Sequence, residues 1–136
     1  MTVLASSADL LSRHLPKLFS TRAHRAADYA MVASFALAGA WFWRQNRTAA
    51  RACWISGGSI LALTLLTSYP GRPKRLLDVG LHGKVEVAVA ALVATMPELL
   101  ELREHQVRHY FRTQAAILTL ISNLTAFAPP SRNYRL

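Results

Sequence analysis

Two pairs of side chains carry the residue types and the spacing that chemistry needs. His24 and Asp28 are four residues apart, and so are His82 and Glu86. On a helix, positions i and i+4 lie on one face, so each pair aims an imidazole and a carboxylate in the same direction. Two such pairs facing each other would form a donor set for a divalent metal or a proton relay. The same residues can also serve structure alone. An acid in the first turns of a helix meets the positive end of its dipole, and a His–acid pair can cap and lock neighbouring helices. His105 and His109 repeat the four-residue spacing beside Glu101 and Glu104. A His-x-x-x-His pair on a helix is half of a zinc site. This one has no sharply placed third ligand, and the surrounding Glu98–Glu104 stretch reads as a solvated, salt-bridged loop.

The elements that would position these residues are apolar blocks. Spans are expected at 26–43, 49–69, 81–100 and 110–128. The first covers about 27 Å at 1.5 Å per residue, just enough for a hydrocarbon core. Pro70-Gly71-Arg72-Pro73 stops the second, and Pro129-Pro130 follows the fourth. A soluble four-helix bundle needs a polar face on every helix. From Ala30 to Trp43 the only polar side chain is Ser34, and from Ile55 to Ser68 there are only hydroxyls. The expected fold is therefore all-α, an integral membrane four-helix bundle. Ahead of it, residues 1–23 form an amphipathic segment on Leu11, Leu15, Leu18 and Phe19, interrupted by Pro16. Its apolar residues are too mixed with charge for a secretory signal, and its Ser and Arg with one acid, Asp9, are faintly like an organelle transit peptide. Residues 129–136 form a C-terminal tail.

Hydrophobic residues make up 52% of the 136-residue chain and charged residues 17%, and the net charge of +9 sits between the apolar blocks. No nucleic-acid module accompanies that charge, so nucleic acid is not an expected partner. The basic residues instead mark topology. With the N-terminus, the 70–84 loop and the C-terminus on one side, that side holds ten Lys and Arg against six on the other. Both termini are expected in the cytoplasm, across a bacterial inner membrane. Trp41, Phe42, Trp43, Tyr110 and Phe111 would then form an aromatic belt at the opposite surface. Cys53, the single cysteine, excludes a disulfide framework and reads as a small buried hydrophobe. Gly57-Gly58-Ser59, and Gly39 with Ala36 and Ala40, read as patches where helices approach closely. Asn123 is expected to bond across to another helix, for example to Thr67.

A shift of 58 residues superposes the chain on itself. His24 lands on His82, Asp28 on Glu86, and Leu66-Thr67-Ser68-Tyr69 on Leu124-Thr125-Ala126-Phe127. Repeat one covers 24–70 and repeat two 82–128. Two spans per copy give both copies the same orientation, related by a pseudo-two-fold axis along the membrane normal. Over residues 24–128 the chain resembles bacterial SPW-repeat membrane proteins. The resemblance rests on His24-x-x-x-Asp28, Leu66-Thr67-Ser68-Tyr69 and His82-x-x-x-Glu86. It departs at the Ser-Pro-Trp positions, which fall on Ala38-Gly39-Ala40 and Met96-Pro97-Glu98, and at Glu86, where that family has aspartate. The resemblance implies four helices in two repeats and no particular activity.

No nucleophile–base pair, phosphate loop or haem motif is present, and no motif names a cofactor. The leading functional reading is a structural or accessory membrane subunit, in contact with the lipid bilayer and with a membrane-protein partner or another copy of itself. One alternative is a proton-, metal- or small-ligand-binding protein that uses His24, Asp28, His82 and Glu86. Another is a minimal membrane enzyme acting on a quinone or lipid. His105 and His109 remain a second, less complete metal pair.

Overall fold

A computed structural model describes residues 16–127. Most of the expected N-terminal amphipathic segment, including Leu11 and Leu15, lies outside the described residues, as does the 129–136 tail. The chain forms four helices, α1 (Thr21–Phe42), α2 (Arg47–Leu66), α3 (Val79–Leu99) and α4 (His105–Leu124). They pair as two hairpins, α1 with α2 and α3 with α4.

Each helix begins two to five residues before its apolar block. Hydropathy is blind to a polar first turn, whereas a capping side chain defines it. Ser20 Oγ accepts from Ala23 N at 3.2 Å, Asn46 Oδ1 from Ala49 N at 3.0 Å, and Asp78 Oδ1 from Leu81 N at 2.8 Å. The earlier start of α1 brings His24 inside the helix, while His82 lies in α3 as expected. The earlier start of α4 places His105 and His109 on that helix rather than in a polar loop.

Short extended segments tie the hairpins together. Leu77 donates to Leu66 O at 3.0 Å and accepts from Ser68 N at 2.7 Å. At positions 58 residues away, Phe19 donates to Leu124 O at 3.1 Å and accepts from Ala126 N at 3.2 Å. Lys17 Nζ donates to the Asn123 carbonyl and Arg75 to the Leu65 carbonyl, again related by the same offset. The segment entering each of α1 and α3 is thus pinned to the end of a neighbouring helix.

The apolar core centres on Phe35 and Phe111, both fully buried. Phe35 meets Tyr110 edge-on at 5.6 Å, and Tyr110 donates to or accepts from Ser34 Oγ at 2.9 Å. The expected aromatic belt is corrected accordingly: Phe42, Tyr110 and Phe111 turn inward, and of the five only Trp41 and Trp43 face out. Cys53 is buried as expected. A side chain at Gly57 would strike Phe35, and one at Gly39 would strike the Trp54 ring, so both glycines allow close approach. Gly58 faces open space instead. Asn123 is also corrected. Its amide donates to Thr119 O at 2.7 Å within α4 and reaches no other helix. Among the described residues, α2 and α3 are long and apolar enough to cross a membrane, while α1 and α4 are more polar.

The link between the hairpins at the far end tests this assembly. Asn46 caps α2 and also donates to Glu104 Oε1 at 2.8 Å, where Glu104 opens α4. Asn46→Ala should lower stability by about 1 kcal/mol through the lost cap. Asn46→Ser keeps the cap and loses only the exposed Glu104 bond, so its melting temperature should stay near that of the parent. Equal losses in both variants, read by thermal melting in detergent, would place the stability in the Glu104 bond instead.

Candidate metal centre

The four-residue spacing does place each His–acid pair on one helix face, and the two faces meet. His24 and His82 are fully buried, and Asp28 and Glu86 are each 1% exposed. One ligand atom from each of the four lies within 4.8 Å of the others. His24 Nε2 is 3.1 Å from Glu86 Oε2, 3.5 Å from Asp28 Oδ1 and 3.3 Å from His82 Nε2. His82 Nε2 is 3.4 Å from Asp28 Oδ2. The pairs therefore cross between hairpins, His24 with Glu86 and His82 with Asp28.

Hydroxyls from α2, α4 and their ends orient every member. Thr67 Oγ1 donates to Leu63 O at 2.6 Å and lies 2.8 Å from His82 Nδ1. Thr125 Oγ1 donates to Ile121 O at 2.7 Å and lies 2.8 Å from His24 Nδ1. A hydroxyl has one hydrogen, so each threonine can only accept from its histidine. This assigns the proton of each ring to Nδ1 and turns both Nε2 atoms towards the centre. Thr64 donates to Asp28 Oδ2 at 2.9 Å, and Ser122 donates to Glu86 Oε2. These partners follow the 58-residue offset throughout.

Two carboxylates and two inward Nε2 lone pairs cannot share a dry core without positive charge among them. Two neutral imidazoles leave a formal charge of −2, which one divalent ion or two protons would cancel. Metal–ligand bonds of about 2.0–2.1 Å produce tetrahedral edges of about 3.3–3.4 Å. The separations of 3.1, 3.3, 3.4 and 3.5 Å are comparable with that edge, although those to Asp28 run to different oxygens, and one donor atom from each residue lies within 4.8 Å of the others. The donor set of two imidazole nitrogens and two carboxylates suits zinc, with the threonine-to-Nδ1 bonds acting as the usual orienting contacts of metal-bound histidine.

His105 and His109 behave differently. Their rings stack at 6.1 Å beside Arg103, Arg108 and Arg112. Glu98 is taken by Arg112 at 2.6 Å and Arg108 at 3.5 Å, and Glu104 by Asn46. No third donor joins the pair in a cluster among the described residues. Sequence reasoning offered Thr67 as a partner for Asn123 rather than for His82, and assigned no role at the site to Thr64, Ser122 and Thr125. The repeat contained a signal for them, since a hydroxyl stands 36 residues after each acid.

No family model matches the chain, and no curated protein or solved structure shows detectable similarity to it.

The ring-proton assignment has a measurable consequence. Thr125→Val leaves the buried His24 Nδ1–H without an acceptor, which should cost about 1–3 kcal/mol. Thr67→Val should cost less, because the Tyr69 hydroxyl is 3.5 Å from His82 Nδ1 and can accept in its place. Phe127, at the equivalent position, has no oxygen to offer His24. Melting temperatures in the reverse order would overturn the assignment.

Proposed function

We propose that this protein is a small integral membrane protein whose two hairpins are clasped by a divalent transition-metal ion, zinc by the donor set, held by His24, Asp28, His82 and Glu86. The observation that carries this reading is the convergence of two oriented Nε2 atoms and two carboxylates within 4.8 Å of one another in a fully buried core. Each hairpin contributes one histidine and one acid, so the ion joins the two hairpins. Four protein ligands complete a tetrahedral shell, as in structural rather than catalytic zinc sites. The role is then that of a metal-stabilised structural or accessory membrane subunit, which joins the leading sequence reading to its first alternative.

Membrane insertion is supported by the distribution of polarity. The interior holds His24, Asp28, Thr64, Thr67, His82, Glu86, Gln114, Ser122 and Thr125. The exterior carries Leu37 at 72%, Ile55 at 62%, Val87 at 53% and Leu120 at 57% exposure, at least one on every helix. Buried polar residues and an apolar outer surface suit a lipid solvent and would be an aggregation hazard in water. The recurrence of contacts at a 58-residue offset supports two hairpin repeats about a pseudo-two-fold axis. That is also the architecture implied by the SPW-repeat resemblance. The ten-to-six distribution of basic residues favours cytoplasmic termini, with the metal centre towards that side.

Metal analysis of the detergent-purified protein tests the clasp directly. One zinc per chain is expected, and cobalt substitution should give the intense visible bands of a tetrahedral ion. Asp28→Asn and His82→Gln should each lower metal affinity by at least tenfold while the protein still extracts as an α-helical species. A parent protein that takes up no stoichiometric zinc or cobalt would overturn the metal reading and leave two protons as the neutralising charge.

Fractionation tests the membrane reading separately. The protein should pellet with membranes and resist alkaline extraction. Recovery in soluble form without detergent would overturn it.

A further inference from the structure

We propose a second binding site, for a single-chain anionic amphiphile such as a long-chain carboxylate or alkyl phosphate, in the hollow that lies over the metal centre. The hollow has a volume of about 620 Å³, within the range of about 300–1,000 Å³ usual for small-molecule pockets. Tyr69 and Phe127 belong to its lining, and the same two rings touch the centre. Phe127 stands 4.8 Å from the His24 ring, and Tyr69 stands 5.9 Å from the His82 ring. Pro70 and Val79 extend the apolar wall.

The rim is cationic. Arg72 and Lys74 line it, and neither has an ion-pair partner among the described residues. The acid at the rim, Asp78, is engaged in capping α3 through Leu81 N. Arg25 adds a third cation, its guanidinium lying 5.3 Å over the Tyr69 ring. An apolar wall under a surplus of positive charge selects a ligand that is anionic at one end and hydrocarbon at the other.

A second hollow of about 370 Å³ adjoins it and offers a path for the chain. It shares Gly80 and Phe127 with the first and continues along Gly83 and Val87 of α3, flanked by Lys84 and, on α4, by Ser122 and Asn123. Val87 is 53% exposed, so the trough ends on the apolar outer face of α3. Both glycines matter to its shape. A side chain at Gly83 would come within 2.9 Å of the Phe127 ring, and at Gly80 it would project beside Asp78 with nothing else near. The equivalent positions in the first repeat are Arg22 and Arg25. The two halves of the bundle match at the metal centre, yet only the second replaces both arginines by glycine. The amphiphile would place its head at Arg72 and Lys74 and its chain across Phe127 along the glycine face.

The site uses the membrane reading and not the metal, so the two can fail independently. The full-length protein in phosphatidylcholine nanodiscs is photolabelled with a diazirine-bearing hexadecanoate, and the labelled peptides are mapped. Zinc content is measured on the same samples. Labels are expected on residues 69–87 and on Phe127, with hexadecanoate or hexadecyl phosphate competing and hexadecanol not. The better of the two anions distinguishes a fatty-acid ligand from a phosphate headgroup. Gly80→Leu, which fills the trough without meeting a buried group, should reduce labelling at least fivefold. Arg72→Gln with Lys74→Gln should do the same, and zinc content should be unchanged in all variants. Labelling that is spread evenly over the outer faces of α3 and α4, or equal competition by hexadecanol, would overturn the site. So would absence of label in the full chain, the result expected if residues 128–136 occupy the hollow.

Discussion

The structure depends on one constraint: two carboxylates and two imidazoles sit together where water does not reach. A buried formal charge of −2 is costly enough to dictate what surrounds it. Both Nδ1 atoms and one oxygen of each acid have a fixed hydroxyl partner, which leaves both Nε2 atoms, Asp28 Oδ1 and Glu86 Oε1 for the centre itself. The partners are hydroxyls rather than cations, so they orient the four groups without neutralising them. That division of labour suits a centre whose positive charge comes from an ion. It also explains why α2 and α4, which contribute no ionisable group to the cluster, carry Thr64, Thr67, Ser122 and Thr125 at its edge.

The same constraint explains how the hairpins are joined. Contacts within each hairpin are extensive, whereas those between hairpins are sparser. Aromatic rings cross between them at Phe35, Phe42, Tyr110 and Phe111, and the polar crossings are His24 to Glu86, His82 to Asp28, and the backbone bonds of Phe19 and Leu77. In the proposed lipid environment, apolar faces would gain little by leaving hydrocarbon for one another, so hydrogen bonds and charge would take over as the specific glue. The proposed clasp strengthens the joint that apolar packing supports least. The departures from symmetry lie just outside it. Tyr69 stands where the second half has Phe127, and Arg25 where it has Gly83, so the two halves share a centre and differ in the surface above it. A repeat is free to diverge where the shared ligand set imposes no matching geometry, and the proposed amphiphile site occupies that freedom.

Much of the architecture was legible along the chain. The long uncharged runs 30–43 and 55–68 mark most of α1 and α2, and the Pro-Gly-Arg-Pro stretch after Tyr69 permits no continuation. The spacings His24–Asp28 and His82–Glu86, with the 58-residue offset, were sufficient to expect that all four side chains converge. Helix starts were less legible, because capping by Ser20, Asn46 and Asp78 is decided by single side chains that hydropathy averages away. His105 and His109 were accordingly misplaced in a loop.

Sequence by itself determined the four helical segments, the 58-residue offset between like residues and the identity of the ionisable residues, since each of these is a property of order and spacing along one chain. Tertiary structure alone decided which nitrogen of each histidine faces inward. That choice rests on Thr67 and Thr125, and Thr125 is 101 residues from the ring it holds. It also decided that Phe42, Tyr110 and Phe111 turn into the core, and that Asn123 bonds within its own helix. Helical periodicity can establish that two residues share a face. Which way that face points depends on how neighbouring helices pack, and that is settled by contacts between residues far apart in the chain.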